Sequence, residues 1–330
     1  MSNSITEFHL FAGIGGGIYG GKLLGHKCVA GVEIDEFCKS ILSQRQKDGW
    51  FEPFDIYGDL TQLSGTPFKG TFDVLCGGFP CQAFSHAAHG KNIAKKNLWG
   101  EMLRFVEESD APIVFGENVT FKALDHARTD LKKLGYSVQL CKLSCGDLGA
   151  DHRRDRYWLL AVKDFDAFKK VADHLATLPK FSGTNWTIDP HSIDYPNAVG
   201  DRRKQLKAIG NAQSPYVAAS VFRILANRHI NGNKDEIVVP TKAEIEAVFD
   251  IRETWIRTKY GKNYGYVHTP TTMANYSCPS MMKHQGCRNY SEVFGKPMPK
   301  DAEYLMGFPI GASMPISLDY KIPQPWTQTE

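Results

Sequence analysis

The sequence predicts an α/β fold: a Rossmann-like, mostly parallel sheet with helices on both faces, plus a smaller C-terminal recognition region. Three observations predict it. Short apolar runs alternate with helical patterns from Phe8 to Val162. The first run passes directly into a glycine-rich turn, Ala12-Gly13-Ile14-Gly15-Gly16-Gly17. The runs then end repeatedly in an acid or a thiol, at Glu33, Asp59, Cys81 and Glu117, and open α/β sheets bind their ligands at these carboxyl ends.

Phe8-His9-Leu10-Phe11 reads as the first strand, and a helical pattern follows the glycines to about Leu24. The turn departs from strict GxGxxG spacing because Ile18 stands at the third glycine position. Cys28 to Glu33 is the second strand. It ends about 20 residues after the first glycine, where a nucleotide-binding βαβ unit places the carboxylate that accepts ribose hydroxyls. The alternative for Glu33 is a capping acid before the next helix. Gly58-Asp59-Leu60 closes a third segment, and an acid there can accept from an exocyclic amine such as that of adenine.

Phe72-Asp73-Val74-Leu75 reads as the fourth strand and leads into Cys76-Gly77-Gly78-Phe79-Pro80-Cys81-Gln82. Glycines let the backbone pass close to a ligand, and proline fixes the turn. Cys81 is therefore a candidate nucleophile; the alternative is a core cysteine at a tight turn. Pro112 to Val119 is the fifth strand, and Phe121 to Leu134 is a helix with Gly135 as its stop. Tyr136 to Leu143 and Tyr157 to Val162 are further strands, the second entered through the charged run Asp151 to Arg156. Phe165 to Asn197 shows no clear period and reads as a connector with short helical pieces. The run from Lys207 to Pro215 opens a helix reaching about Asn227, with Ser214 as N-cap and Pro215 at the first helical position. His229 to Asn233 marks a boundary. The expected division is a larger domain over 1–229, with a variable connector over 165–200, and a smaller region over 230–330; the resemblance given below implies a catalytic role for the first and target recognition for the second.

Hydrophobic content of 42% and charged content of 23% suit a soluble globular protein. No apolar run approaches membrane-spanning length, and the start lacks a basic segment followed by an apolar one. The 8 cysteines form no CxxC pair, which points to a reduced, cytoplasmic setting rather than a disulfide framework. Net charge is only +3, yet Ile251 to Lys300 carries 8 Lys/Arg against 2 Asp/Glu, interleaved with Trp255, Tyr260, Tyr264, Tyr266, Tyr276 and Tyr290. That composition suits a nucleic-acid surface, and equally a solvated loop-rich one. Cys278, His284 and Cys287, with His268, meet no standard zinc spacing, so no metal is expected.

Taken together, Phe11-Ala12-Gly13-Ile14-Gly15-Gly16, Glu33-Ile34-Asp35, Gly58-Asp59-Leu60, Gly78-Phe79-Pro80-Cys81-Gln82, Glu117-Asn118-Val119, Arg154-Asp155-Arg156 and Gly210-Asn211-Ala212 resemble, in order, the motifs of the DNA cytosine-5 methyltransferases. The resemblance covers about two-thirds of the chain. Three departures stand out. His152-Arg153 replaces a usual Gln-Asn, and Ile34 replaces an aromatic that stacks on adenine. The long basic segment follows the Gly-Asn motif instead of preceding it, as in certain phage-type members.

The resemblance implies S-adenosyl-L-methionine as methyl donor, leaving S-adenosyl-L-homocysteine, and duplex DNA as partner. A cognate restriction endonuclease is a further implied partner; the expected protein is a monomer. Phe11 to Gly16 would pass the donor's amino-acid part, Glu33 and Ile34 its ribose and adenine side, and Asp59 with Leu60 the adenine. Gly78 and Pro80 would line the site, and Asn211 with Ala212 would close it. Cys81 would bond to carbon 6 of a flipped cytosine. Glu117 would hold nitrogen 3 and the amino group. Arg156 would bind the carbonyl oxygen, and Arg154 a phosphate or the fold around it. Two rivals remain: an RNA cytosine methyltransferase on the same fold, and a non-catalytic DNA-binding protein on a decayed scaffold.

Overall fold

The computed structural model describes residues 4–80, 98–193, 201–232, 239–262, 265–267, 293–295 and 298–316. Its centre is a seven-stranded sheet in the order β3-β2-β1-β4-β5-β7-β6. The strands are β1 (Thr6–Leu10), β2 (Lys27–Val32), β3 (Asp55–Tyr57), β4 (Val74–Gly78), β5 (Ile113–Asn118), β6 (Ser137–Leu143) and β7 (Arg156–Val162). The first five run parallel. β7 is antiparallel to both β5 and β6, which makes the sheet mostly parallel, as expected. The chain moves outward from β1 to β3 and then returns to lay β4 beside β1. That reversal opens a crevice at the carboxyl ends of β1 and β4.

Strand residues alternate between two covered faces. Phe8 and Leu10 join Leu75, Met102 and Phe105 on one face, beneath α3 (Trp99–Ser109) and α4 (Phe121–Lys133). Cys76, Phe115, Trp158 and Phe222 share the other. All six residues of β5 are buried, as expected for a central strand of a sheet covered on both sides. α1 (Gly16–Leu23) packs on α7 (Pro215–Ile230) through glycine: a Cβ on Gly20 would lie 2.9 Å from that of Ala218. α2 (Glu36–Lys47) is started by Asp35, whose carboxylate accepts from the backbone N–H groups of Phe37 and Cys38.

Two stretches differ from the sequence reading. The connector contains a regular helix, α5 (Phe165–Ala176), N-capped by Asp164 and burying Phe168, Val171 and Leu175. The helix read with Ser214 as N-cap and Pro215 as first residue is α7, but a second helix that the reading lacked precedes it, α6 (Arg202–Asn211), capped by Asp201. Ala212 between them is extended, at φ −70 and ψ 155. Ser214 occupies the N-cap position of α7, but its side chain makes no cap hydrogen bond.

Beyond residue 238 the described chain forms α8 (Lys242–Val248), α9 (Trp255–Tyr260) and α10 (Pro299–Met306), with β8 (Phe181–Ser182) pairing β9 (Phe249–Asp250). α10 is stopped by Gly307 at φ +74, the left-handed C-cap conformation that glycine favours. The stretch after it is built into the body. Buried Arg45 donates to the carbonyls of Gly311, Met314 and Ile316. Buried Glu303 accepts from the N–H groups of Gly311 and Ser313. The zinc-spacing residues His268, Cys278, His284 and Cys287 lie outside the described residues. Among the described residues no helix is long and apolar enough to cross a membrane.

One residue of α10 carries a pH signature. Asp301 is fully buried; its Oδ2 accepts from Met298 N at 3.1 Å, and Oδ1 has no partner. Burial pushes its carboxyl up from 3.8 to about 7. A raised folded value makes the charged form costly: the cost is absent below pH 3.8, grows towards pH 7 and is complete above it. Asp301→Asn keeps an acceptor for Met298. It is expected to stabilise the protein by about 1–3 kcal/mol at pH 8 and to change nothing near pH 4. Thermal denaturation at both pH values checks this; the same difference at each would refute it.

Candidate active site

The glycine turn after β1 is shaped by backbone conformation and by crowding. Gly13 has φ +56 and Gly15 φ +88, conformations that favour glycine. Gly16 is the point of closest approach: a Cβ there would sit 2.2 Å from the carbonyl oxygen of Gln213. The turn thus brings α1 against the break between α6 and α7, although the two lie far apart in sequence. Glu33, at the end of β2, accepts from Gly13 N at 2.6 Å through Oε2 and from Asp35 N at 2.8 Å through Oε1. Each oxygen keeps a second lone pair for a ligand hydroxyl.

These groups wall one cleft of about 870 Å³, within the range of small-molecule sites. Phe11, Ala12, Gly13, Gly16, Glu33, Ile34, Asp59, Leu60, Gly78, Pro80, Glu117, Arg154, Arg156, Asn211 and Ala212 all line it. Ile34 is 68% exposed, so its aliphatic face is free for a planar group. Asp59 is exposed too; one of its oxygens accepts from the N–H and the hydroxyl of Thr61.

Two predicted residues stay out of the cleft. Ile14 is buried in the core with Tyr19, Ile41 and Phe308. Gly15 faces Phe51 and Leu42. The turn coils inward at these positions, so Phe11 to Gly13 and Gly16 line the cleft while the two residues between them do not. Cys81 lies outside the described residues, which stop at Pro80 on the cleft wall. Cys76, the other cysteine of that motif, is buried, and burial pushes its thiol well above the ordinary range.

The polar end of the cleft is formed by β5 and the segment entering β7. Asn118 Nδ2 donates to Phe79 O at 2.9 Å and so holds the Gly-Phe-Pro turn against β5. Gly78 and Glu117 are partners across β4 and β5. Glu117 is 9% exposed, and its Oε1 lies 3.1 Å from Arg156 Nε, off hydrogen-bond alignment. This gives a buried carboxylate with one oxygen short of an aligned donor.

Arg154 does something else. Its Nη2 donates to Gly210 O at 2.9 Å and to Ala212 O at 2.8 Å. Of the two roles expected for it, the structure therefore puts the guanidinium on the surrounding fold. Burial, with Arg156 nearby, pushes its pKa down to about 9, so it stays charged at neutral pH. His152 beside it is fully buried, and burial together with Arg154 and Arg156 pushes it down to about 3, so its imidazole is neutral.

His9 and Gln213 are among the cleft residues that were not singled out in the sequence. Each carried a signal. His9 is a polar residue in the middle of a buried strand, and Gln213 interrupts a run of small residues next to a predicted site residue.

A model of the C-5 cytosine-specific DNA methylase family matches residues 5–309. The chain belongs to the C-5 cytosine-specific DNA methylase family. Among relatives of this methylase, the Type II methylase M.HgiEI of Herpetosiphon aurantiacus is 36% identical over 306 residues, covering 88% of this chain and 62% of that one. The Type II methyltransferase M.MspI of a Moraxella species is 30% identical over 175 residues, covering 48% and 39%. The chain thus spans between about two fifths and three fifths of these relatives' lengths. A solved structure of a Spodoptera frugiperda DNMT2 mutant superposes with a TM-score of 0.48 at 16% identity, covering 98% of this chain and 94% of that one. The methylase family uses S-adenosyl-L-methionine as its methyl donor.

Proposed function

We propose that this methylase transfers a methyl group from S-adenosyl-L-methionine to carbon 5 of cytosine in double-stranded DNA. The observation that carries the reading is convergence. The Glu33–Asp59 end, the Pro80 wall one residue before Cys81, and the Glu117–Arg156 pair share one cleft.

The cleft suits the donor. The backbone at Gly13 has open space beside it, with nothing within 4 Å of an added Cβ. Glu33 would accept the ribose hydroxyls, Ile34 would pack on the adenine ring, and Asp59 would accept from its amine. Backbone at Phe11 to Gly16 would face the amino-acid part, and Asn211 with Ala212 would close over it. When bound, the donor supplies a methyl group made electrophilic by a sulfonium.

On the other side, a cytosine flipped from the duplex would enter against Glu117 and Arg156, at a cost of a few kcal/mol that phosphate and groove contacts offset. The Cys81 thiolate bonds to carbon 6. Electron density moves to carbon 5, Arg156 holds the carbonyl oxygen, and Glu117 shares a proton with nitrogen 3 and accepts from the amino group. Carbon 5 takes the methyl group, a base removes its original proton, and the bond to Cys81 breaks with return of the thiolate. Arg154 keeps Gly210 to Ala212 in place throughout.

The same proposal puts DNA recognition in residues 230–330, after the Gly-Asn motif, in the phage-type arrangement. Its support is the excess of 8 basic over 2 acidic residues between Ile251 and Lys300. The proposal extends to a cytoplasmic, monomeric enzyme paired with a cognate restriction endonuclease; the Type II names of the relatives support the pairing alone.

Purified protein with radiolabelled S-adenosyl-L-methionine and mixed-sequence duplex DNA is expected to place label in DNA cytosine. Cys81→Ser is expected to reduce transfer to background while still binding the donor. Label in transfer RNA but not DNA would replace the substrate, and full transfer by Cys81→Ser would overturn the covalent route.

A further inference from the structure

Gln213 lies where α6 has ended and α7 has not begun, so its backbone is free to press on Gly16 while its side chain turns into the molecule. That side chain spans two glycines. A Cβ built on Gly17 would lie 2.7 Å from Gln213 Oε1 and 3.2 Å from His9 Nδ1. A Cβ built on Gly78 would lie 2.9 Å from Gln213 Nε2 and 2.8 Å from Glu117 Oε2. One amide thus points its oxygen towards His9 and its N–H groups towards the carboxylate of Glu117. Neither glycine position has room for a side chain while the amide is there.

His9 is itself held from below. Its Nε2 lies 2.8 Å from Glu7 Oε2, and Glu7 Oε1 lies 2.6 Å from His26 Nδ1. Glu7 is buried in space that Gly21 leaves open, since a Cβ there would come 2.0 Å from Oε2. Burial pushes the Glu7 carboxyl up, but the two imidazoles outweigh it and hold it at about 2. A fixed buried anion therefore anchors the ring that Gln213 Oε1 faces.

We propose that Gln213 is a positioning residue for Glu117, donating from Nε2 to Glu117 Oε2 when Arg156 leaves the carboxylate for the carbonyl oxygen of the entering base. This rests on the function proposed above. In the free protein Arg156 lies 3.1 Å from Glu117 Oε1, the oxygen the base must take. The amide would then fix the carboxyl plane from behind, leaving Oε1 aimed at the pyrimidine edge. The contact matters for the reacting geometry, where a small misplacement costs about 100-fold.

The test compares wild type with Gln213→Met, which keeps length and loses the amide, and Gln213→Glu, which keeps shape and sets a carboxylate against a carboxylate. Gln213→Met is expected to lower kcat for duplex DNA about 10- to 100-fold. KM for DNA, donor Kd and Tm should stay near wild type. Gln213→Glu should lose more, by like-charge repulsion. Wild-type kcat in Gln213→Met overturns the proposal. So does weakened donor binding with kcat intact at saturation, which would assign the amide to the donor. If Gln213→Met does not fold, Gln213→Glu decides alone, and wild-type kcat there overturns it equally. Wild-type protein that transfers nothing to duplex DNA refutes the function itself, a failure separate from any difference between variants.

Discussion

Arg154→Ala is expected to loosen the roof of the cleft and weaken donor binding at least 10-fold, with about 2–5 kcal/mol lost in global stability. Arg154 is 8% exposed, and its guanidinium satisfies two carbonyls, those of Gly210 and Ala212, at the point where α6 stops. A helix end buried without partners for its carbonyls pays their desolvation in full, about 1–3 kcal/mol each. Both bonds leave the single nitrogen Nη2; a lysine ammonium can donate twice from one nitrogen but sits on a shorter stem without the planar group that fixes its direction, so Arg154→Lys should recover only part of the loss. The backbone adds a second, separable contribution. Arg154 has φ +91, which costs a side chain roughly 1–2 kcal/mol and glycine almost nothing. Arg154→Gly should therefore unfold at a higher denaturant concentration than Arg154→Ala, while binding the donor as poorly. Denaturant titration and equilibrium donor binding on the three variants read both effects. Wild-type donor affinity in Arg154→Ala would show that the 210–212 segment holds itself.

Gly16→Ala should be the most damaging single methyl in the cleft. Its Cβ would meet the Gln213 carbonyl oxygen at 2.2 Å and the same residue's C and N at 3.0 Å. The obstacle is backbone, so no rotamer change relieves it; α1 and the α6–α7 break must move apart. Overpacking of this kind costs about 1–3 kcal/mol or more. Donor affinity should fall with it, because the separated surfaces are both walls of the site. Gly13→Ala is the control for conformation alone. Nothing lies within 4 Å of a Cβ there, but φ is +56, so a cost of about 1 kcal/mol is expected. If the two variants lose equal stability, crowding at Gly16 is relieved by adjustment and the argument from contact fails.

The parts of the site that the sequence made legible are those that act through local order. A strand, a tight turn and the residue just past the strand are neighbours in the chain. Glu33, Asp59 and Glu117 could thus be placed at one sheet edge from apolar runs alone. Strand direction leaves no such mark: β7 runs antiparallel, yet its apolar run looks like those of the parallel strands. Ile14 belongs to the glycine-turn motif but its side chain joins the core, because a motif names consecutive residues while a turn shows only some side chains to the cleft. Phe168, Val171 and Leu175 do carry a helical period, diluted by the charged residues between them. His9 and Gln213 take their meaning from contacts with residues remote in the chain, which periodicity cannot express. Arg154 was legible as to position, and its two carbonyl partners settle its task only once the helix break at Ala212 is seen.

The meeting of Gly16 with Gln213 also bears on how the molecule comes into being. The two residues are roughly 200 positions apart, and closing a loop of that length costs only slightly more entropy than closing one half as long. The delay is in time rather than in energy. A ribosome releases the glycine turn, Glu33 and Asp59 long before it makes the segment that roofs them. Throughout that interval the nascent chain holds half a pocket. A ligand that needs both halves stabilises only the finished fold, by an amount that rises with its concentration over its dissociation constant. The supply of methyl donor would then govern how firmly the α6–α7 break is fastened to α1, as well as how fast methyl transfer proceeds.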